Sequence, residues 1–164
     1  MALAPATHLL TPAFNALEKL PQAQDGSDYS FPDPKGTPGS LCTDDDDNFD
    51  GYRYHEQIAH CKRNVPKSVK LKIAKKYGIK EEDFSDYEFD HLIPLSVGGS
   101  DDITNIWPQP LDEAKEKDKV EQSAYLQLSK GDITQKQAIQ MMWDWFEEEY
   151  QLHNAPLAQH ALAP

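Results

Sequence analysis

The stretch that decides the fold runs from Tyr87 to Gln109, YEFDHLIPLSVGGSDDITNIWPQ, with LDEAKEKDKVEQSAYLQLSKG close behind it over residues 111–131. YEFDHLIPL alternates as a strand does as far as Pro94. LSVGGSDDIT, with its paired glycines, reads as a loop, and NIWPQ reads as a short second strand broken by Pro108. After Pro110, Asp112 stands near a helix start, Val120, Ala124 and Leu128 recur on one face, and Gly131 supplies the stop. Strand, long loop, strand, helix is the resulting order. It predicts an α+β domain, small and helix-rich, around a ββα core over residues 87–130.

Upstream, NVPKSVKLKIAKKYG predicts a helix over 65–77. Pro66 suits its first turn, Val69, Ile73 and Tyr77 recur every four residues, and Gly78 ends it. Lysines fill its other face. Downstream, a last helix over 134–150 turns Ile133, Ala138, Met141, Met142, Trp145 and Phe146 toward a core. Residues 1–40, rich in Ala, Pro, Gly, Asp and Ser around one short helix near Phe14 to Leu20, read as a flexible arm, and 153–164 as a tail. That leaves one domain over 41–152, in keeping with a chain of 164 residues.

The formal net charge of −12 argues on its face against a nucleic-acid partner. Its distribution argues otherwise. Between Lys62 and Lys80 stand eight of the 16 Lys and Arg residues and no acid at all, so a local positive face is available. Arg63 and Lys67, at the opening of the basic helix and the turn before it, are the candidates for phosphate contacts. A guanidinium can grip a phosphate in bidentate fashion and a lysine adds point charge. Equally, Arg63 could tie the basic helix to the acidic TDDDD run.

No apolar run approaches the roughly 20 residues that span a bilayer, and MALAPATHLL lacks the basic start and apolar stretch of a signal peptide. No membrane partner is expected, and oligomeric state is open. Cys42 and Cys61 lack the close pairing and histidines of a structural zinc site. They could form a disulfide, which would suit an exported protein, or remain reduced thiols. Asp46, Asn48, Asp50 and Gly51 match the start of a calcium loop, but Gln57 stands where its bidentate acid belongs, so a solvated acidic turn is the favoured reading.

Breaking a phosphodiester needs a water nucleophile, a group to take its proton, and positive charge to stabilise the phosphorane. Asp90 and His91 offer a carboxylate and an imidazole side by side. FDHLIPLSVGGSDDITNIWPQ resembles the signature of HNH (ββα-metal) nucleases, with Asp90, His91, Pro94, Gly98, Gly99 and Asn105 at the matching places. It is closest to a bacterial subgroup marked by NIWPQP, KDKVE and, upstream, CKRNVPKSVK before YGI. The resemblance covers roughly Cys42 to Trp145.

The resemblance implies a metal-dependent endonuclease acting on nucleic acid, DNA rather than RNA, with little sequence preference. His91 would be the general base, Asp90 the first metal ligand, and Asn105 the residue that orients His91 through its amide or backbone. At the helix ligand this chain departs from the pattern, since Ala114 fills the first expected position. Asp118, one turn later, is the favoured substitute, and Glu113 or an inert Lys115 belong to an alternative register. A carboxylate-rich site of this kind suits one Mg²⁺ or Mn²⁺ ion. The rival reading is an HNH-fold module that binds nucleic acid and has lost catalysis with its helix ligand.

Overall fold

The computed structural model describes residues 31–33 and 35–154. The expected helix near Phe14 to Leu20 and most of the tail lie outside the described residues. The described residues form an α+β domain with two small antiparallel sheets and three main helices. Strands β1 (Phe49–Arg53) and β2 (Ile58–Cys61) form one hairpin. Helix α1 (Lys67–Tyr77) precedes the second sheet, of β3 (Tyr87–His91) and β4 (Ile106–Pro110). Helices α2 (Leu111–Lys130) and α3 (Gln135–Asn154) complete the fold.

In the second sheet Phe89 pairs with Pro108, Asp90 with Trp107 and His91 with Ile106. Pro108 therefore lies inside β4 and does not break it. Both strands of a two-stranded sheet are edges, so a missing N–H costs no ladder bond on the open side. Strand β3 stops at His91, short of Pro94. Beyond it the Asn105 side chain takes over as partner, accepting from Ile93 N and donating to Ile93 O, both at 2.9 Å.

Helix α2 follows β4 without a break and ends on Gly131, whose φ of 78° is left-handed. Its buried stripe of Ala114, Lys117, Ala124 and Leu128 faces the rest of the domain. Leu128 and Ala124 join Leu92, Ile93, Val97, Trp107 and, from α3, Ala138, Met142 and Phe146 in the main core. Thr134 and Gln137 cap α3 reciprocally: Gln137 Oε1 accepts from Thr134 N, and Thr134 Oγ1 accepts from Gln137 N. A smaller core joins Ile73 and Ala74 of α1 to Phe89 and Ile106, which fixes the basic helix against the second sheet.

One expectation needs correction. The domain boundary drawn at residue 41 falls too late, because Thr37 is fully buried beside Tyr77 and Gly39 N donates to Thr104 O at 2.8 Å. Residues with so many polar partners and so little exposure are part of the domain. In the acidic segment the hydrogen bonds and ion pairs suit the favoured solvated turn rather than a calcium loop. Asp46 accepts from Thr43, Asn48 Nδ2 donates to Lys62 O and Asp101, and Asp50 pairs with Arg53 and Lys62, so the three side chains diverge. Cys42 and Cys61 form a disulfide that ties the segment before β1 to the end of β2. No helix among the described residues is long and apolar enough to cross a membrane.

Candidate active site

Because side chains alternate along a strand, β3 sends Phe89 and His91 to one side and Glu88 and Asp90 to the other. The His91 ring is 2% exposed. Its Nε2 lies 2.5 Å from Asp101 Oδ1, and its Nδ1 faces Arg63 Nη1 at 3.4 Å. A carboxylate only accepts, so in the neutral ring Nε2 carries the proton and Nδ1 keeps a lone pair. Arg63 is held over the ring by a 2.7 Å bond from Nη2 to Phe89 O. Asp101 is itself fixed, its Oδ2 accepting from Asn48 Nδ2 at 2.8 Å and from Asn64 N. Burial pushes the His91 pKa below the usual imidazole range, with Arg63 adding to the effect while Asp101 opposes it. The ring is a neutral, oriented proton acceptor near neutral pH.

The loop from Leu92 to Asn105 delivers Asp101 to that ring. Asn105 is fully buried, and besides Ile93 its Nδ2 donates to Ser100 O at 2.8 Å. It thereby clamps the loop's two arms together next to Asp101. Gly99 is needed for this approach, since a Cβ there would lie 1.8 Å from Ile93 O. Gly98 has φ of +95°, and a Cβ would meet Gln135 and Ile58. Ser40 and Ser100, whose hydroxyls are 2.6 Å apart, close the loop from the N-terminal side.

On the opposite side of β3 the arrangement is acidic around one amine. Lys117, 1% exposed, reaches from α2 and donates to Asp90 Oδ2 at 2.5 Å, to His91 O at 2.9 Å and to Glu121. Three acceptors take the three protons of an ammonium. Asp90 and Glu121 hold the Lys117 pKa above its ordinary value despite burial. Glu121 is pushed up to about 7 by burial, against the pull of Lys117. Burial and the Asp90 charge also raise Glu88.

The site residues expected from sequence are therefore only partly brought together. His91 and Arg63 meet. Asp90 is adjacent but turns to α2, and there it meets Lys117, with Asp118 exposed one residue on. Successive helix positions lie about 100° apart, so 117 is buried against the strand while 118 is exposed, its charge still acting on Glu88 and Glu121. Glu113 is half-buried near the helix start. Lys67 is exposed and pairs with Glu81. The Asn105 side chain does not touch His91; Asp101 does the orienting, and Asn105 acts on the loop that carries it.

A divalent ion at Asp90 does not fit these residues. The side chain that α2 presents to Asp90 is a protonated amine, which cannot ligate a cation. Among the described residues, only Cys42, Asp46 and Cys61 bring three metal-capable atoms within 4.8 Å of one another, and there the two sulfurs are bonded together. Sequence reasoning missed Asp101 and Lys117. Asp101 has an identical neighbour in Asp102, which instead caps the short turn at Ile103–Asn105. Lys117 stands in EKDK, where solvated lysines are the rule. Its one signal is its place on the Ala114, Lys117, Ala124, Leu128 stripe.

Comparison of the chain with protein-family models, curated proteins and solved structures returns no match.

Proposed function

We propose that the chain hydrolyses phosphodiester bonds in nucleic acid, DNA in preference to RNA, with His91 as general base. One observation carries the reading. A buried, neutral imidazole is fixed by a carboxylate on Nε2 and keeps its Nδ1 lone pair under a guanidinium. Such a pairing orients a base and supports the imidazolium that forms when it takes a proton.

Arg63 is the group for the phosphate. It is exposed and is held by the Phe89 carbonyl and by a long 3.4 Å contact to Nδ1, so a phosphate can draw the guanidinium off the ring. That movement uncovers Nδ1 for a water. The water oxygen attacks phosphorus, its proton passes to Nδ1, the bond to the leaving oxygen breaks, and that oxygen takes a proton from solvent. Arg63 stabilises the charge gathered on the phosphoryl oxygens. Lys117, not a metal ligand, stands beside Asp90, so the charge for this step comes from Arg63 and the lysines of α1. With Arg63 and the lysines of α1 offering phosphate contacts only, little base preference follows. The Cys42–Cys61 disulfide fits action in an oxidising compartment.

The purified chain incubated with supercoiled plasmid should yield nicked and linear forms, and a parallel incubation with RNA should yield less product. Cleavage that His91→Ala leaves at the wild-type rate would overturn the reading. The second reading, a module that binds DNA without cutting it, draws on the 2% exposure of His91 and on Lys117 beside Asp90. Duplex binding with intact plasmid in every buffer would favour it.

A further inference from the structure

We infer that the Lys117 ammonium is the resident cation of this site, so that the folded chain takes no Mg²⁺ or Mn²⁺ at Asp90. The inference rests on the proposed function only in its choice of position: between Asp90 and the helix after β4 is where a ββα nuclease would need its ion. The amine sits in that position. It lies within hydrogen-bond distance of Asp90 and the His91 carbonyl, and of Glu121 one turn along its own helix. It is 1% exposed, so it cannot swing out to solvent without opening the packing between α2 and β3. A divalent ion would have to displace it, stranding an ammonium in a buried place, or else bind beside it against its charge. Either event strips a buried ammonium of its partners or sets a like charge beside it, and the Glu88 and Glu121 carboxylates near Asp90 already interact with that amine.

The substitution has a structural logic. A metal ligand on the helix would bind Asp90 through a shared ion. Lys117 binds it directly, and the same nitrogen ties down the carbonyl of His91. The amine therefore joins β3 to α2 at the residue that carries the proposed base. Lys117 touches no substrate in this account; it is a positioning residue.

The experiment is Mn²⁺ binding to the full chain, read by the loss of the free-ion electron paramagnetic resonance signal. It uses wild type, Asp90→Asn and Lys117→Asn. Asp90→Asn keeps an oxygen for Lys117 and removes the charge a metal would need. The expected result is a wild-type spectrum like that of buffer, or weak binding that Asp90→Asn does not change. Lys117→Asn, which removes the amine and supplies a ligand oxygen, should bind Mn²⁺ and gain thermal stability from it. Stoichiometric wild-type binding that Asp90→Asn abolishes would overturn the inference, even if Lys117→Asn failed to fold. Plasmid cleavage separates this from the functional reading. His91-dependent cleavage that persists in EDTA supports both. His91-dependent cleavage seen only with Mg²⁺ keeps the function and sinks the built-in cation. No cleavage in any buffer sinks the function and leaves the Mn²⁺ spectra to decide the other.

Discussion

Two neighbours on one strand, Asp90 and His91, meet opposite surroundings. On the His91 side, a neutral ring is held between a carboxylate on Nε2 and a guanidinium on Nδ1, and the long 3.4 Å contact to Nδ1 is its weakest tie. On the Asp90 side, an ammonium is spent on three acceptors. The first arrangement can do work on a bound molecule, and the second can hold a structure together. The strand's alternation creates this division, since a single residue of register shift would exchange the two sides.

The largest expected effect is on the first side. His91→Ala should lower plasmid cleavage by about 10²- to 10⁴-fold, the usual worth of a general base, with the circular dichroism spectrum unchanged. Asp101→Asn should approach that loss, because an amide can turn its NH₂ to Nε2 and move the proton onto Nδ1. A rate for Asp101→Asn within twofold of wild type would separate Asp101 from the chemistry. The second side should respond in stability. Lys117→Ala leaves the half-buried Asp90 and Glu121 without their counter-charge, at a cost of about 2–3 kcal/mol by urea unfolding, below that of a fully buried pair. A cost under about 1 kcal/mol, the worth of an exposed pair, would show that the amine is not buried in solution.

Asn105 joins the two effects. Asn105→Ala strands the backbone groups of Ile93 and Ser100, each costing about 1–3 kcal/mol when left unsatisfied. It should also loosen the loop that presents Asp101, so activity falls along with stability. Asn105→Asp keeps the acceptor for Ile93 N and loses the donor to Ile93 O and Ser100 O, and should fall between wild type and Ala on both measures. Full activity in a destabilised Asn105→Ala would mean the loop positions nothing.

What was legible in the sequence follows the same division. The order of strand, loop, strand and helix was readable because local signals fix it: alternation in YEFDH, paired glycines, and the Val120, Ala124, Leu128 stripe. His91 and Arg63 were legible as chemistry, since few residue types can serve as base or phosphate grip. Asp101 and Lys117 were not, because their roles depend on which neighbour the folded loop and helix turn them toward. Asp101 and Asp102 are the same letter, and Lys117 and Asp118 differ by one step of helix rotation. Nothing local chooses between them. Only the 93–100–105 clamp and the packing of α2 on β3 do so.

The smallest effect is also the one that reads both sides at once. His91 is depressed below its unfolded value near 6.5. Below that value the unfolded chain takes up the proton first, so the ring's contribution is fully present above pH 6.5 and is lost as pH falls. Glu121 runs the other way. Its folded value of about 7 lies above the ordinary 4.5, so the native state holds the proton more tightly. That contribution is present below pH 4.5 and is lost as pH rises through about 7. Across the shared window the two slopes oppose each other, and the wild-type melting temperature should change little. Glu121→Gln removes the larger falling contribution, leaving that of Glu88, and should make stability rise with pH toward about 6.5 more than in wild type. His91→Gln removes the rising slope and should leave stability that falls toward pH 7. Melts of both variants from pH 4.5 to 7.5 test this, and equal slopes in the two would mean that the strand does not separate these groups into different environments.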